Sequence, residues 1–95
     1  MRTMSGTPIV MKDGKLHIPD HPIIHYIEGD GIGVDITPVM KAVVDASISK
    51  AYNGARAIAW NEVLAGEKAF NATGEWLPEA TLDAMRTGLV SIKGP

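Results

Sequence analysis

The sequence has no cysteine among its 95 residues. This absence excludes a disulfide framework, a thiolate metal site and a cysteine nucleophile. No stretch approaches the ~20 consecutive apolar residues of a membrane span, and the first residues lack the apolar run of a signal peptide. We therefore expect a soluble, cytoplasmic protein that has no membrane partner.

A strong charge of either sign is also lacking. The formal net charge is -2 and charged residues make up 21% of the chain, so no basic face suited to nucleic acid is expected. What is present is an ordinary globular composition with 45% hydrophobic residues. The length allows at most one domain with a modest core.

Hydrophobic periodicity and turn residues predict an N-terminal β-hairpin followed by β-α-β-α-β. Asp13-Gly14 between two short apolar runs is a strong hairpin signal. The apolar run 23–27 is typical of a strand buried on both faces. The other predicted elements are a helix from Asp35 or Thr37 to Tyr52, a strand at 57–64, a short helical turn at 66–70, a helix at 78–87 with Pro78 first and Gly88 beyond its end, and a strand at 89–92.

Strands that alternate with helices indicate an α/β fold with a parallel sheet. Functional residues in such sheets gather beyond the carboxyl ends of the strands. Two candidate sites follow strands in this way. One is the glycine loop at 29–33, and the other is Lys93.

The glycine loop does not fit the dinucleotide-binding fingerprint G-x-G-x-x-G, because Val34 occupies the sixth position. An acidic residue should also close the second strand about 20 positions on, and Glu62 is farther along and falls inside the predicted strand. A tight strand-to-helix turn that needs glycine is the more economical interpretation.

Lys93 could meet a substrate carboxylate as a compact positive charge, although a solvated lysine at a strand end is the commoner meaning of this pattern. His25 is interpreted as a satisfied core or edge histidine, and Asp35 as a helix-start residue. Trp60 and Trp76 are interpreted as core and packing residues. We find no nucleophile–base pair, metal constellation or phosphate loop, so no catalytic or metal residue is assigned.

The order of residues in 21–38, His-Pro-Ile-Ile-His-Tyr-Ile-Glu-Gly-Asp-Gly-Ile-Gly-Val-Asp-Ile-Thr-Pro, resembles the opening of NADP-dependent isocitrate dehydrogenases. The similarity continues through 43–46, 50–52, 65–69 and 76–78, and through the ending Val-Ser-Ile-Lys-Gly-Pro at 90–95. It covers nearly the whole chain. Gly-Asp-Gly-Ile-Gly alone is shared with isopropylmalate and homoisocitrate dehydrogenases, whereas the longer string favours isocitrate dehydrogenase.

The resemblance implies oxidation of isocitrate to 2-oxoglutarate and carbon dioxide in the tricarboxylic acid cycle, with NADP as oxidant. It implies Mg²⁺ or Mn²⁺ as a Lewis acid, a homodimer, and an α/β fold that is not Rossmann. By the same resemblance, Ile32 matches an apolar residue near the nucleotide end of the cofactor. Lys93 matches a lysine that faces the substrate pocket.

The family's catalytic tyrosine and lysine, its metal-binding aspartates and its serine–arginine substrate loop have no counterpart in this sequence. We therefore expect residues 1–95 to be the N-terminal part of the large domain of such an enzyme. Alone, it should be inactive and should bind no cofactor tightly, and it should associate with the remainder of the enzyme. The alternative is a standalone noncatalytic module that acts through self-association or partner binding.

Overall fold

The computed structural model of this chain describes residues 6–95, which form eight helices and strands. In chain order these are β1 (Val10–Lys12), β2 (Lys15–His17), β3 (Ile23–Ile27), α1 (Gly33–Tyr52), β4 (Ala59–Glu62), α2 (Glu67–Thr73), α3 (Glu79–Gly88) and β5 (Ser91–Lys93). The α/β class, the hairpin and the parallel sheet are as the sequence predicts. The predicted short turn at 66–70 is a seven-residue helix, α2.

The hairpin is closed by the predicted Asp13-Gly14 turn. Both residues have positive φ, 53° at Asp13 and 75° at Gly14, as the tightest two-residue hairpin turn requires. Strands β1 and β2 pair antiparallel and form a sheet of their own. All six of their residues are exposed, so this hairpin has little packing to support it.

The main sheet has three parallel strands in the order β4-β3-β5. Strand β3 is central, and it pairs Ile23 to Tyr26 with β4 and His25 to Ile27 with β5. The first strand of the sheet thus lies between the second and the third. This 2-1-3 order differs from the 3-2-1 order that begins the classic dinucleotide-binding sheet.

Helix α1 begins at Gly33, earlier than the predicted Asp35 or Thr37. Asp35 is therefore not the cap. It lies in the first turn, where a carboxylate complements the helix dipole, and Ile32 occupies the N-cap without a side-chain hydrogen bond. Pro38 accordingly lies in the second turn of the helix. Its missing N–H removes one intrahelical hydrogen bond there, whereas a proline in the first turn removes none.

Helices α1 and α3 cover opposite faces of the sheet. On the α1 face, Lys41 Nζ donates to the Tyr26 hydroxyl at 3.1 Å and lies 4.4 Å from the centre of that ring. Trp60 Nε1 donates to Asp45 Oδ1 at 2.8 Å, also on α1. On the other face, α3 brings its last residue against the ring of His25. Successive residues of β3 therefore point to different helices.

Gly88 is the last residue of α3 and not, as predicted, a residue beyond its end. A methyl group placed there would lie 2.5 Å from His25 Cδ2, so close packing on the histidine requires a glycine. The left-handed backbone after the helix is carried instead by Leu89, with φ 67°. Pro78 was predicted as the first residue of this helix but is its N-cap, so α3 begins one position later than predicted.

The core is small. Ile9, Ile27 and Ala69 are the buried hydrophobic residues of the described chain, and no large side chain in residues 6–95 is completely buried. Helix α1 carries apolar residues at three- and four-residue steps, but two of them, Val39 and Val43, remain 61% and 59% exposed. Trp76, predicted to pack in the core, stacks on Phe70 but is itself 59% exposed.

Candidate functional site at the carboxyl edge of the sheet

The parallel pairing of β3 with β5 puts the carboxyl ends of the two strands side by side. The turn that leaves β3 and the residues that follow β5 therefore lie together at this edge of the sheet. In open α/β sheets, ligands bind beyond this carboxyl edge. Both sequence-predicted regions, the glycine loop and Lys93, lie beside it.

The glycine turn, residues 28–33, leaves β3 and packs on the end of the chain after β5. Gly94 N–H donates to the Ile27 carbonyl at 2.7 Å, and Asp30 N–H donates to the Pro95 carbonyl at 3.0 Å. Gly29 has φ 91°, and a methyl group there would lie 2.5 Å from the Pro95 carbonyl oxygen. Glycine at this position thus allows both the turn and the close approach of the two backbones.

Helix α1 is fixed to the same turn. Thr37, a buried residue, donates its hydroxyl hydrogen to the Glu28 carbonyl at 2.7 Å. A methyl group at Gly33 would overlap that same carbonyl oxygen. The start of α1 therefore lies directly against the end of β3.

A cavity of about 250 Å³ opens between the turn and β5. It is lined by Ile27, Gly29, Asp30, Ala65, Gly66, Lys93 and Pro95. Lys93 is the last residue of β5, paired with Ile27, and not a residue beyond the strand as predicted. Its ammonium donates to the Gly94 carbonyl at 2.9 Å. Within residues 6–95 no carboxylate lies within ion-pair distance of it.

Ile32 does not line this cavity. It is the N-cap residue of α1, and its side chain is 63% exposed. The neighbouring Gly31 faces open space, since a methyl group there would meet no atom within 4 Å. The structure therefore places Ile32 and Lys93 on the same edge but does not bring their side chains together.

Asp30 serves a purpose that sequence reasoning missed. Its carboxylate accepts the Glu67 N–H at 2.9 Å and 3.2 Å, at the first residue of α2. The N-cap of that helix, Gly66, offers no side-chain bond of its own. Asp30 thus caps a helix 37 residues ahead of it, and only the tertiary fold reveals the pair.

Lys68 was also missed. Its ammonium contacts the carboxylates of Glu28 at 3.0 Å and Glu62 at 2.5 Å. Its hydrogen bonds to these carboxylates hold the pKa of Lys68 well above its ordinary value of 10.5, and the bond to Glu62 has the larger effect of the two. Glu62, which the sequence placed inside a strand, is the last residue of β4 and so belongs to the carboxyl edge. The spacing of Lys68 from its partners carries no local signal.

The remaining predictions concern His25, metals and membranes. Asn61 Nδ2 lies 2.9 Å from His25 Nδ1, which confirms a half-buried, satisfied histidine. In the part of the chain that the structure describes, no three His, Cys, Asp or Glu side chains converge as metal ligands would. Nor does any α-helix in residues 6–95 combine the length and hydropathy needed to cross a membrane.

The structure is a parallel α/β sheet with a glycine turn and a lysine at its carboxyl edge, and the sequence profile of isocitrate/isopropylmalate dehydrogenases matches residues 23–95. The chain belongs to this family. Several similar relatives are named isocitrate dehydrogenase [NADP]. That of Pseudomonas aeruginosa (strain UCBPP-PA14) is 60% identical over 88 residues, covering 90% of this chain and 21% of the relative.

Two further relatives carry the same name. That of Streptococcus salivarius is 55% identical over 87 residues, covering 92% of this chain and 22% of the relative. That of Staphylococcus aureus (strain Mu50 / ATCC 700699) is 50% identical over 92 residues, covering 97% of this chain and 22% of the relative. The chain therefore spans about a fifth of the length of the curated relatives it matches.

Proposed function

We propose that this chain is the N-terminal part of the large domain of an NADP-dependent isocitrate dehydrogenase. The whole protein would oxidise isocitrate to 2-oxoglutarate and carbon dioxide while reducing NADP. The observation that carries the proposal is the identity of 50–60% to three such enzymes over at least 90% of this chain. The sheet order 2-1-3, unlike that of a classic dinucleotide-binding fold, supports the prediction that the fold is not Rossmann.

Lys93 is the residue we assign to substrate. Lys93 lines the cavity at the carboxyl edge, and its ammonium has no carboxylate partner among residues 6–95. Lys68, by contrast, is bonded to two carboxylates. Of the two lysines at this edge, only Lys93 thus has a charge left to attract a substrate carboxylate.

Ile32 and the backbone at Gly31 are the groups we assign to the cofactor. The side chain of Ile32 is exposed, and the open space around Gly31 leaves its backbone accessible to a flat ring. NADP, when bound, would supply the hydride acceptor. Residues 6–95 offer no metal site, so the Mg²⁺ or Mn²⁺ of the proposed reaction is assigned no ligand in this segment.

A chimera tests the proposal. The matched segment of the Pseudomonas aeruginosa relative is replaced by this chain, and NADPH formation from isocitrate and Mg²⁺ is followed at 340 nm. We expect kcat/KM within about tenfold of the parent enzyme. The 95-residue chain alone and the relative without its segment are the controls, and both should be inactive. A chimera that folds and assembles like its parent but forms no NADPH would contradict the proposal.

A second candidate is a noncatalytic module that acts by self-association, and exposed apolar surface favours it. Val39 and Val43 lie one turn apart on α1 and are about 60% exposed, and within residues 6–95 each of the outer strands β4 and β5 pairs on one side only. Both features invite a partner. For the whole isocitrate dehydrogenase of the first proposal, we propose that the enzyme is a homodimer in the cytoplasm.

A further inference from the structure

Helix α2 is bonded to the glycine turn at two points. Asp30 accepts the N–H of Glu67 at 2.9 Å, and Lys68 donates to Glu28 at 3.0 Å. Lys68 also reaches Glu62 at the end of β4. One short helix therefore connects the carboxyl ends of two neighbouring strands with the turn that borders the Lys93 cavity.

The turn needs such external contacts because its own backbone is permissive. Gly29 and Gly31 have φ of 91° and 58°, values open to glycine at little cost, and no side chain at either position restrains the chain. Helix α2 is anchored to the rest of the chain, since its own residue Ala69 is completely buried. Contacts from α2 thus add a side-chain restraint to the backbone bonds from residues 94–95 and the bond from Thr37, which also hold the turn.

We infer that Lys68 is a positioning residue for this site: its ammonium, bonded to Glu28 and Glu62, holds the glycine turn in the geometry that ligand binding beside Lys93 requires. Asp30 is the second tether between α2 and the turn. The inference rests on the proposed function. Lys68 does not line the cavity beside Lys93, so its effect passes through Glu28 and the turn.

The expected signature is a change in binding and not in stability. The side chains of Lys68 and Glu28 are 47% and 20% exposed, and ion pairs near water contribute little to folding. A displaced turn, however, weakens every contact made by the ligand that lies on it. Loss of Lys68 should therefore raise KM for isocitrate or NADP while the unfolding temperature stays nearly constant.

The test uses the chimera with the Lys68→Met, Lys68→Arg and Arg86→Met variants. Methionine keeps the length of the side chain and removes its charge, whereas arginine restores the charge. Arg86 pairs with Asp83 within α3, 2.8 Å apart, so its variant removes an exposed ion pair that does not touch the turn. We expect Lys68→Met to raise KM about fivefold, with kcat within about twofold, which matches the upper range for such pairs.

Support requires three results together: the KM increase in Lys68→Met, its recovery in Lys68→Arg, and no change in Arg86→Met. An unchanged KM in Lys68→Met overturns the inference, as does a fall in unfolding temperature that accounts for the lost activity. An inactive chimera with the unaltered segment would instead refute the proposed function and this inference with it. Turnover by the unaltered chimera with no effect of Lys68→Met refutes the inference alone.

Discussion

At Gly29 two requirements coincide that no other residue type can meet. The backbone has φ 91°, and the Pro95 carbonyl oxygen and nitrogen would lie 2.5 Å and 2.7 Å from a methyl group. At Gly31 only the first requirement holds, since φ is 58° and nothing lies within 4 Å. The two glycines of one motif therefore contribute differently, and a matched pair of variants can separate backbone strain from collision.

We predict that Gly29→Ala destabilises the chain more than Gly31→Ala. The Gly31 variant should lose about 1–2 kcal/mol, the cost of placing a side chain in the left-handed region. The Gly29 variant adds a backbone collision that relaxation of the turn only partly relieves, so its loss should be at least about twofold larger. Urea unfolding midpoints measure both. Equal losses would show that the turn and residues 94–95 separate at little cost.

At the residue scale the sequence indicated which positions are special without showing what each one does. Glycines at 29, 31 and 33 predicted a tight turn from composition alone. The reason for Asp30 could not be found this way, because Glu67 lies 37 residues away and the bond depends on how α2 docks. Lys93 was predicted to follow the strand at 89–92, whereas it is the last residue of β5, and its lack of a carboxylate partner among residues 6–95 is a property of its surroundings.

At the scale of elements, α2 is the part that the sequence described least well. A short helical turn was predicted at 66–70, whereas the helix runs over Glu67–Thr73. No long apolar periodicity marks this segment. Tertiary contacts stabilise it, through the cap from Asp30 and the burial of Ala69. The helix in turn places Lys68 between two strand ends, where its pKa is raised by hydrogen bonds to Glu62 and Glu28.

The raised pKa gives a pH prediction for Lys68→Met. A group whose pKa is raised by folding stabilises the native state fully below its unfolded pKa, here 10.5, and loses this contribution only as the pH rises further. The contribution is at most about 1 kcal/mol, because the lysine side chain is half exposed. The unfolding free energies of wild type and variant should thus differ by a small constant amount between about pH 7 and pH 10. This difference should shrink only as the pH rises above 10.5 and through the raised pKa of Lys68 in the native state.

Urea titrations at several pH values measure this difference. Arg86→Met is the control, since the exposed arginine of this ion pair does not titrate in that range. A difference that already disappears between about pH 7 and pH 9 would contradict the raised pKa of Lys68.

For the whole molecule, the exposed apolar side chains are the dominant feature. Besides Val39 and Val43 on α1, Met11 on β1 and Ile18 just after β2 are 56% and 54% exposed. Exposed apolar surface of this kind marks sites of association. In residues 6–95, α1 covers one face of the three-stranded sheet and α3 covers the other. The sheet is too small to bury the apolar side of either helix.

We predict that the chain self-associates and that Val39→Glu/Val43→Glu reduces the association. Sedimentation equilibrium should show a fall in mean mass toward the 10.1 kDa monomer, while circular dichroism shows unchanged helix content. The changes remove an exposed apolar surface and add repulsion between copies. Ala42→Glu/Ser49→Glu adds the same charge beside that surface and should have a smaller effect. A monomeric wild-type chain would contradict the prediction.

The sequence by itself determined the α/β class, the hairpin turn at Asp13-Gly14, the glycine turn after β3 and the lysine at the end of β5. These follow from local preferences and from periodicity, which are properties of neighbouring residues. Only the tertiary structure decided that β3 lies between β4 and β5, that Gly88 is small because His25 packs on it, and that Asp30 and Lys68 tie α2 to the turn. Each of these depends on residues far apart in the chain, and their approach is set by packing that no local pattern encodes.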